Sequence, residues 1–399
     1  ISIVLQGPSQ IYTAALQVRL LHRELSLLQM YSGFLRHGLT IVFALLGFGP
    51  LSFVLPLPLL PIFEAWYASR YAPLPIWRAR PGIRLWSGIL GQTIWLMLAT
   101  LGISISTQGD YLVAGLLAAT AVVGIYGFAF QIVAQLSVLL SFNVSQVLLP
   151  VFTRLRDTPA RQGVAVLDSL RVIMLVMSFA AIGLALVFPP LEYLIWHGKW
   201  SSAILPVQLT AIAASAGAVP NILGSAVVAR SDFRGYFLLT MSRGVQVVIG
   251  AFIGALAGRL LEDHAGGAPG GIATWIALGV SVTTLIWTPI MAIWSLRPWG
   301  VRIGTYLWIH LKSLLLACLA AVFASGLTWL LRGGLLQFRG DGFEPTRLDA
   351  LIEIVIASAC FGVVSAVAVR LAAASDLEAF TGALPAGLER VVRRLMWLP

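Results

Sequence analysis

Long apolar stretches separated by short polar and basic turns run the length of the chain. Most approach or exceed about 20 residues, the length an α-helix needs to cross the hydrocarbon of a bilayer. Residues 1–17 read as the end of one span, followed by the basic turn Arg19–Glu24. Spans are predicted at 31–48 and 51–68, joined by the tight turn Gly47-Phe48-Gly49-Pro50. Further spans fall at 86–114, 120–149, 170–188, 204–228, 235–258, 270–294, 304–331 and 350–371. This pattern predicts an all-α polytopic membrane protein with about 11 spans present. It lacks the short alternating segments of a membrane β-barrel.

The polar segments divide the chain. The connector Arg70–Arg84 holds three prolines and four arginines and reads as an interfacial linker. A polar loop is expected over Thr153–Asp168. The resulting domains are 1–69, the remainder of an N-terminal transmembrane lobe; 70–85, a basic cytoplasmic linker; 86–296, a C-terminal lobe; 297–371, two additional spans; and 372–399, an amphipathic tail along the membrane surface.

An internal repeat ties the lobes together. Shifting the chain by 211 residues superimposes Ile11 on Ile222, Ala15 on Ala226, Arg19 on Arg230 and Arg23 on Arg234. The same shift pairs Leu27 with Leu238, Leu28 with Leu239, Met30 with Met241 and Gly33 with Gly244. An even number of predicted spans separates the copies, so the lobes are expected to be parallel repeats about an axis along the membrane normal. By this count the first of two six-helix lobes is incomplete, and the chain is expected to lack N-terminal spans; it begins with Ile1.

Composition and charge support the membrane reading. The chain is 59% apolar and 11% charged, with a formal net charge of +10. With the 70–84 connector placed in the cytoplasm, 18 basic residues fall in cytoplasmic segments and five outside. That asymmetry accounts for the positive charge without nucleic acid and sets the orientation. The two cysteines, Cys318 and Cys360, sit in apolar runs and read as packing residues. Aromatic residues near span ends, such as Trp86, Trp196 and Trp294, suit an interfacial belt.

No catalytic or metal-binding constellation is found, and no cofactor is implied. The five histidines have no ligand spacing, and no glycine-rich phosphate loop is followed by lysine. Ionisable residues inside spans are the better guide, because they are costly in a bilayer and usually face a cavity or a partner. Arg243 sits deep in its span; it either snorkels to the interface or lines a cavity that receives an anion. Lys312 and His310 lie at similar depth in another span, and Arg36 and His37 occupy the first-lobe copy of the Arg243 helix. Asp110 closes the 86–114 span near the outer face, either as a proton or sodium site or as a solvated helix end. Gln131 and Gln135 share a helix face at i, i+4 and either line an aqueous cavity or bond between helices. Pro220-Asn221 in mid-span is expected to break its helix and free a carbonyl.

From Asp110 onward the order of features resembles a known family. Asp110-Tyr111-Leu112-Val113-Ala114-Gly115 is followed by Gly124-Ile125-Tyr126 and by the run Ser145–Leu155; Gly198-Lys199-Trp200 and Ala229–Arg234 come later. This order is similar to that of the polysaccharide-flippase branch of the multidrug/oligosaccharidyl-lipid/polysaccharide exporter superfamily, over roughly residues 8–300. The resemblance implies two six-helix lobes around a cavity that opens alternately to either side of the bacterial inner membrane. It also implies an undecaprenyl-diphosphate-linked oligosaccharide as cargo, and exchange of H+ or Na+ as driving force. Arg243, Lys312 and Arg36 then become candidates for the diphosphate headgroup, because guanidinium binds two phosphate oxygens at once. Gln131, Gln135 and Asn221 become cavity-lining candidates, and Asp110 the coupling-ion candidate. The alternatives are a drug/cation antiporter of the same superfamily, which should want acidic groups in its lobes, a membrane-embedded glycosyl transferase or ligase using outer-loop groups such as Glu192, and a structural role.

Overall fold

The computed structural model describes residues 2–19, 21–74, 83–262, 269–336 and 347–372. Within these residues the chain is helical throughout and contains no strand. The helices are α1 (Ser2–Val18), α2 (His22–Leu45), α3 (Leu59–Tyr71), α4 (Ile83–Leu117), α5 (Thr120–Ser137), α6 (Asn143–Arg154) and α7 (Pro159–Trp196). They continue with α8 (Ile204–Gly217), α9 (Val219–Ala229), α10 (Phe233–Glu262), α11 (Pro269–Leu296), α12 (Ile303–Leu336) and α13 (Arg347–Ala372). Among the described residues seven helical stretches are long and apolar enough to cross a membrane, from Thr120–Arg154 to Arg347–Arg370. At 1.5 Å per residue the shortest, 24 residues, is about 36 Å long and exceeds a hydrocarbon core of about 30 Å. Large apolar side chains such as Trp308, Phe323, Trp329 and Val363 stand exposed, as lipid contact requires. The protein is an all-α, multi-pass membrane protein.

The chain divides into two compact units, Ile1–Ser87 and Gly88–Pro399. In the first, Tyr12, Leu16, Leu28, Ala68 and Ala72 form a small core. Polar ties support it: Ser9 Oγ donates to Glu64 at 2.7 Å and Tyr67 to Glu24 at 3.1 Å. In the second unit one core cluster joins α5 to α12 around Met174, Met177, Phe188 and Ile222. Another joins α4, α5, α10 and α11 around Tyr126, Ala255 and Ile276. Helices α10 and α11 approach each other closely. Gly250, Gly254 and Gly258 recur every four residues, and a Cβ at Gly258 would lie 3.2 Å from Ile272 Cα. Small residues let backbones touch where lipid supplies no hydrophobic drive for association.

Two pairs of helix boundaries share the 211-residue spacing. Val18 and Ala229 end their helices 211 positions apart, and His22 and Phe233 begin the next helices at the same spacing.

Four local expectations are corrected. The span expected at 51–68 is not one helix: Pro50, Pro56 and Pro58 lack N–H donors, so a 3₁₀ turn at Gly49–Phe53 and further turns precede α3. The loop expected over Thr153–Asp168 shrinks to residues 155–158, because Pro159 in the first helical turn suits a helix start and α7 begins there. The 120–149 span is interrupted by a π-helical segment, Val138–Phe142, before α6 continues it. Finally, α4 runs past Asp110 to Leu117, so Asp110 lies two turns inside a helix and is fully buried instead of ending it. The expected tail after residue 372 and half of the 70–85 linker, residues 75–82, lie outside the described residues.

Candidate functional site

The break expected at Pro220-Asn221 is present, and it meets a second irregularity. Pro220 has no N–H to continue the ladder from α8, so the helix stops at Gly217 and restarts at Val219 as α9. Across from it lies the π-helical segment, whose Ser141 donates to the carbonyl of Ala218 at 3.0 Å. The amide of Asn221 donates in turn to Ser141 Oγ at 3.0 Å. The Ala218 carbonyl, which also accepts the Asn221 N–H at 3.3 Å, thus gains a side-chain donor from another span at the break.

These two irregular segments border a cavity of about 560 Å³ inside the second unit. Helices α4, α5, α6, α8, α9, α10 and α11 contribute to its wall. Its apolar surface comes from residues such as Leu96, Phe130, Phe142 and Val280. The polar groups are mostly hydroxyls, including Thr107, Thr210, Ser225, Thr240 and Thr284. Each of these donates its proton back to a carbonyl one turn earlier in its own helix. They therefore offer lone pairs to the cavity more readily than donors.

Arg243 is the exception. Among the described residues lining the cavity it is the one that is charged, on α10 about 15 Å from the start of the helix. Among the described residues no hydrogen-bond acceptor or carboxylate engages its guanidinium, whose five N–H donors need partners. Nearby, Gln246 is tied to Thr283 Oγ1 at 2.8 Å and Thr284 Oγ1 at 3.1 Å, which fixes the next turn of α10 against α11. Gly102 and Gly244 bring α4 against α10 on the other side: a Cβ at Gly102 would lie 2.6 Å from the Met241 nitrogen. The Arg243 helix is held between two close neighbours.

The other predicted site residues are distributed differently. Asn221 lines the cavity with Arg243. Gln131 and Gln135 are exposed on the unit's surface; the cavity face of α5 carries Phe130, Val133, Ala134 and Ser137 instead. Lys312 is half-buried on α12, away from the cavity wall, and Arg36 is exposed on α2 of the first unit. Asp110 is buried beside the cavity but not on its wall, although Ser106 and Thr107 of the same helix line it. Its carboxylate accepts from Tyr126 Oη at 2.7 Å and from the Tyr111 backbone N–H at 2.9 Å. Glu192, an outer-side candidate for catalysis, accepts from the Trp200 backbone at 2.7 Å and is buried, which makes it a fastener for the turn after α7. Among the described residues no group of three or more His, Cys, Asp or Glu side chains gathers.

Ser141 and the cavity hydroxyls had no distinguishing signal in the sequence. Serine and threonine are common in spans, and most satisfy themselves against their own helix.

Comparison with known proteins gives one family. Residues 1–205, just over half of the chain, match the family model described as polysaccharide biosynthesis protein. No curated protein and no solved structure matches the chain. The chain belongs to the polysaccharide biosynthesis protein family.

Proposed function

We propose that this member of the polysaccharide biosynthesis protein family translocates an oligosaccharide linked to a lipid diphosphate, of the undecaprenyl type, across the bacterial inner membrane by alternating access. The observation that carries this reading is the unpaired Arg243 guanidinium on a cavity otherwise lined by apolar groups, hydroxyls and the Asn221 amide. A cation in such a place requires an anion, and a phosphate matches its planar fork. The hydroxyl oxygens around it suit hydrogen-bond donors such as sugar hydroxyls. The linked breaks at Ala218 and in the π segment supply a place where the wall can bend, since kinks and π-bulges concentrate at functional positions.

Asp110 is proposed as the site of ion exchange, coupled to the cavity through Ser106 and Thr107 on the same helix. Lys312 and, within the first unit, Arg36 are proposed as further cationic positions for anionic cargo outside the Arg243 cavity, and Gln131 and Gln135 as polar positions outside it. No bond-making step is assigned to the protein. A drug/cation antiporter is disfavoured because the one charge facing the cavity is positive.

The test is Arg243→Ala in the intact protein. Export of lipid-linked glycan should stall while membrane level and insertion remain normal. Export at the normal rate would remove Arg243 from the headgroup and with it this reading of the cavity.

A further inference from the structure

A second, smaller pocket of about 220 Å³ lies between the α9–α10 turn and the α11–α12 turn. Counting of basic residues puts both turns on the cytoplasmic side. Arg230 and Arg297 both line it, with Trp294, Ser295, Pro298 and Asp232. Two guanidiniums on one small pocket repel each other unless an anion sits between them. Among the described residues the ion pair present is Arg171–Asp168, so neither arginine has a carboxylate within 4.0 Å. Asp232 does not fill the role. Its Oδ1 accepts the Gly235 N–H at 2.8 Å and caps the start of α10, where the helix dipole favours its charge.

The pocket is also built to hold its shape. Arg230 lies over the Trp299 ring at 5.1 Å, which orients the guanidinium plane and leaves its N–H edge available. Trp299 is fixed in turn, because its Nε1 donates to Gln162 at 3.1 Å and Gln162 donates to the Phe152 carbonyl at 2.8 Å. The pocket further contains an unsatisfied group. Ser295 is only 4% exposed, and its hydroxyl has no partner among the described residues. A buried hydroxyl without a partner costs free energy, and an occupant with acceptor oxygens would remove that cost. Trp294 at the end of α11 sets the depth, since tryptophan collects at the headgroup level.

We propose that this pocket binds the phosphate of an anionic membrane lipid in the cytoplasmic leaflet, with Arg230 and Arg297 gripping its oxygens and the Ser295 hydroxyl donating to one of them. Phosphate is the chemistry that suits two forks and a hydroxyl, and basic pockets between spans on the cytoplasmic side are suited to lipid headgroups. The space, about seven water volumes, admits a phosphate and a few attached atoms but not a glycan.

The full chain, purified in detergent, would be mixed with equal amounts of phosphatidylglycerol and phosphatidylcholine and the retained lipid counted by native mass spectrometry. One phosphatidylglycerol should be held in preference by about tenfold, equivalent to about 1.4 kcal/mol. Arg297→Gln, at an exposed position that leaves the fold intact, should reduce the preference several-fold, and Arg230→Gln with Arg297→Gln should abolish it. Arg161→Gln, another exposed basic residue on the same side, should leave it unchanged. An equal preference in the double variant would overturn the proposal, as would an equal loss in Arg161→Gln. A parallel arm with inorganic phosphate distinguishes the sources: displacement of the lipid at millimolar phosphate would reassign the pocket to a soluble anion and overturn the lipid assignment.

Discussion

Asn221 and Ser141, eighty residues apart, are joined by a hydrogen bond of 3.0 Å from the asparagine amide to the serine oxygen. The bond connects the helix restart after Ala218 to the π-helical segment between α5 and α6. Two places where the backbone ladder fails therefore support each other, and both border the Arg243 cavity.

Replacing Ser141 by Ala should take one of two donors from the Ala218 carbonyl and leave the Asn221 amide without its Ser141 partner. A double-mutant cycle with Asn221→Ala should give a coupling of about 0.6–1.7 kcal/mol, the range found for polar pairs between spans. Unfolding in mixed micelles measures it. A coupling near zero would mean that the two segments are independent.

Charge alone should not suffice at position 243. Arg243→Lys keeps a cation but loses the planar fork, so transport should fall at least tenfold while membrane level stays normal. Transport assays on reconstituted vesicles would read it, and full activity in the lysine variant would point to a simple electrostatic role.

Gly102 and Gly115 offer a controlled comparison within α4. At Gly102 a Cβ would meet the backbone of Met241 at 2.6 Å and of Thr240 at 2.7 Å, whereas at Gly115 nothing lies within 4 Å. Gly102→Ala should therefore force α4 from α10 and cost about 1–3 kcal/mol. Gly115→Ala should be neutral or slightly stabilising, because alanine favours helix over glycine. Thermal unfolding of the two variants side by side decides.

Gln162 serves as the bridge between α6 and the α11–α12 turn. Gln162→Leu would leave the Phe152 carbonyl and the Trp299 indole N–H without their partners, at about 1–3 kcal/mol. The same variant should blunt lipid selectivity at the neighbouring pocket, because Trp299 positions Arg230. Melting and lipid retention, measured together, report both effects.

Asp110 and Tyr126 separate an ionic role from a structural one. Tyr126→Phe removes the 2.7 Å bond and should destabilise the protein while transport still responds to an imposed H+ or Na+ gradient. Asp110→Asn retains an acceptor for the tyrosine but has no charge to exchange, so gradient dependence should vanish. Persistence of that dependence would make Asp110 a structural residue.

Much of the architecture was legible in the sequence because a bilayer permits few solutions. Span length, the requirement for internal backbone hydrogen bonds and the side preference of arginine define an all-α, multi-pass chain. The 211-residue spacing located two turns, 19–21 and 230–232, that the fold places between helices. Pro220 marked its helix break because a missing N–H is a property of the residue itself. Arg243 was conspicuous for a similar reason, since a charge in a span is costly wherever it points.

What only the tertiary structure decided is which way each helix faces. In a soluble protein the apolar stripe points to the core, but a span is apolar on all sides because lipid is as apolar as a protein interior. Periodicity could show that Gln131 and Gln135 share a face, yet only packing turned that face outward and put Phe130, Val133 and Ser137 on the cavity. Packing likewise buried Asp110 against Tyr126 and matched Ser141 to the Ala218 carbonyl. Such partners come from other helices, and the apolar pattern of one helix carries no record of its neighbour's rotation.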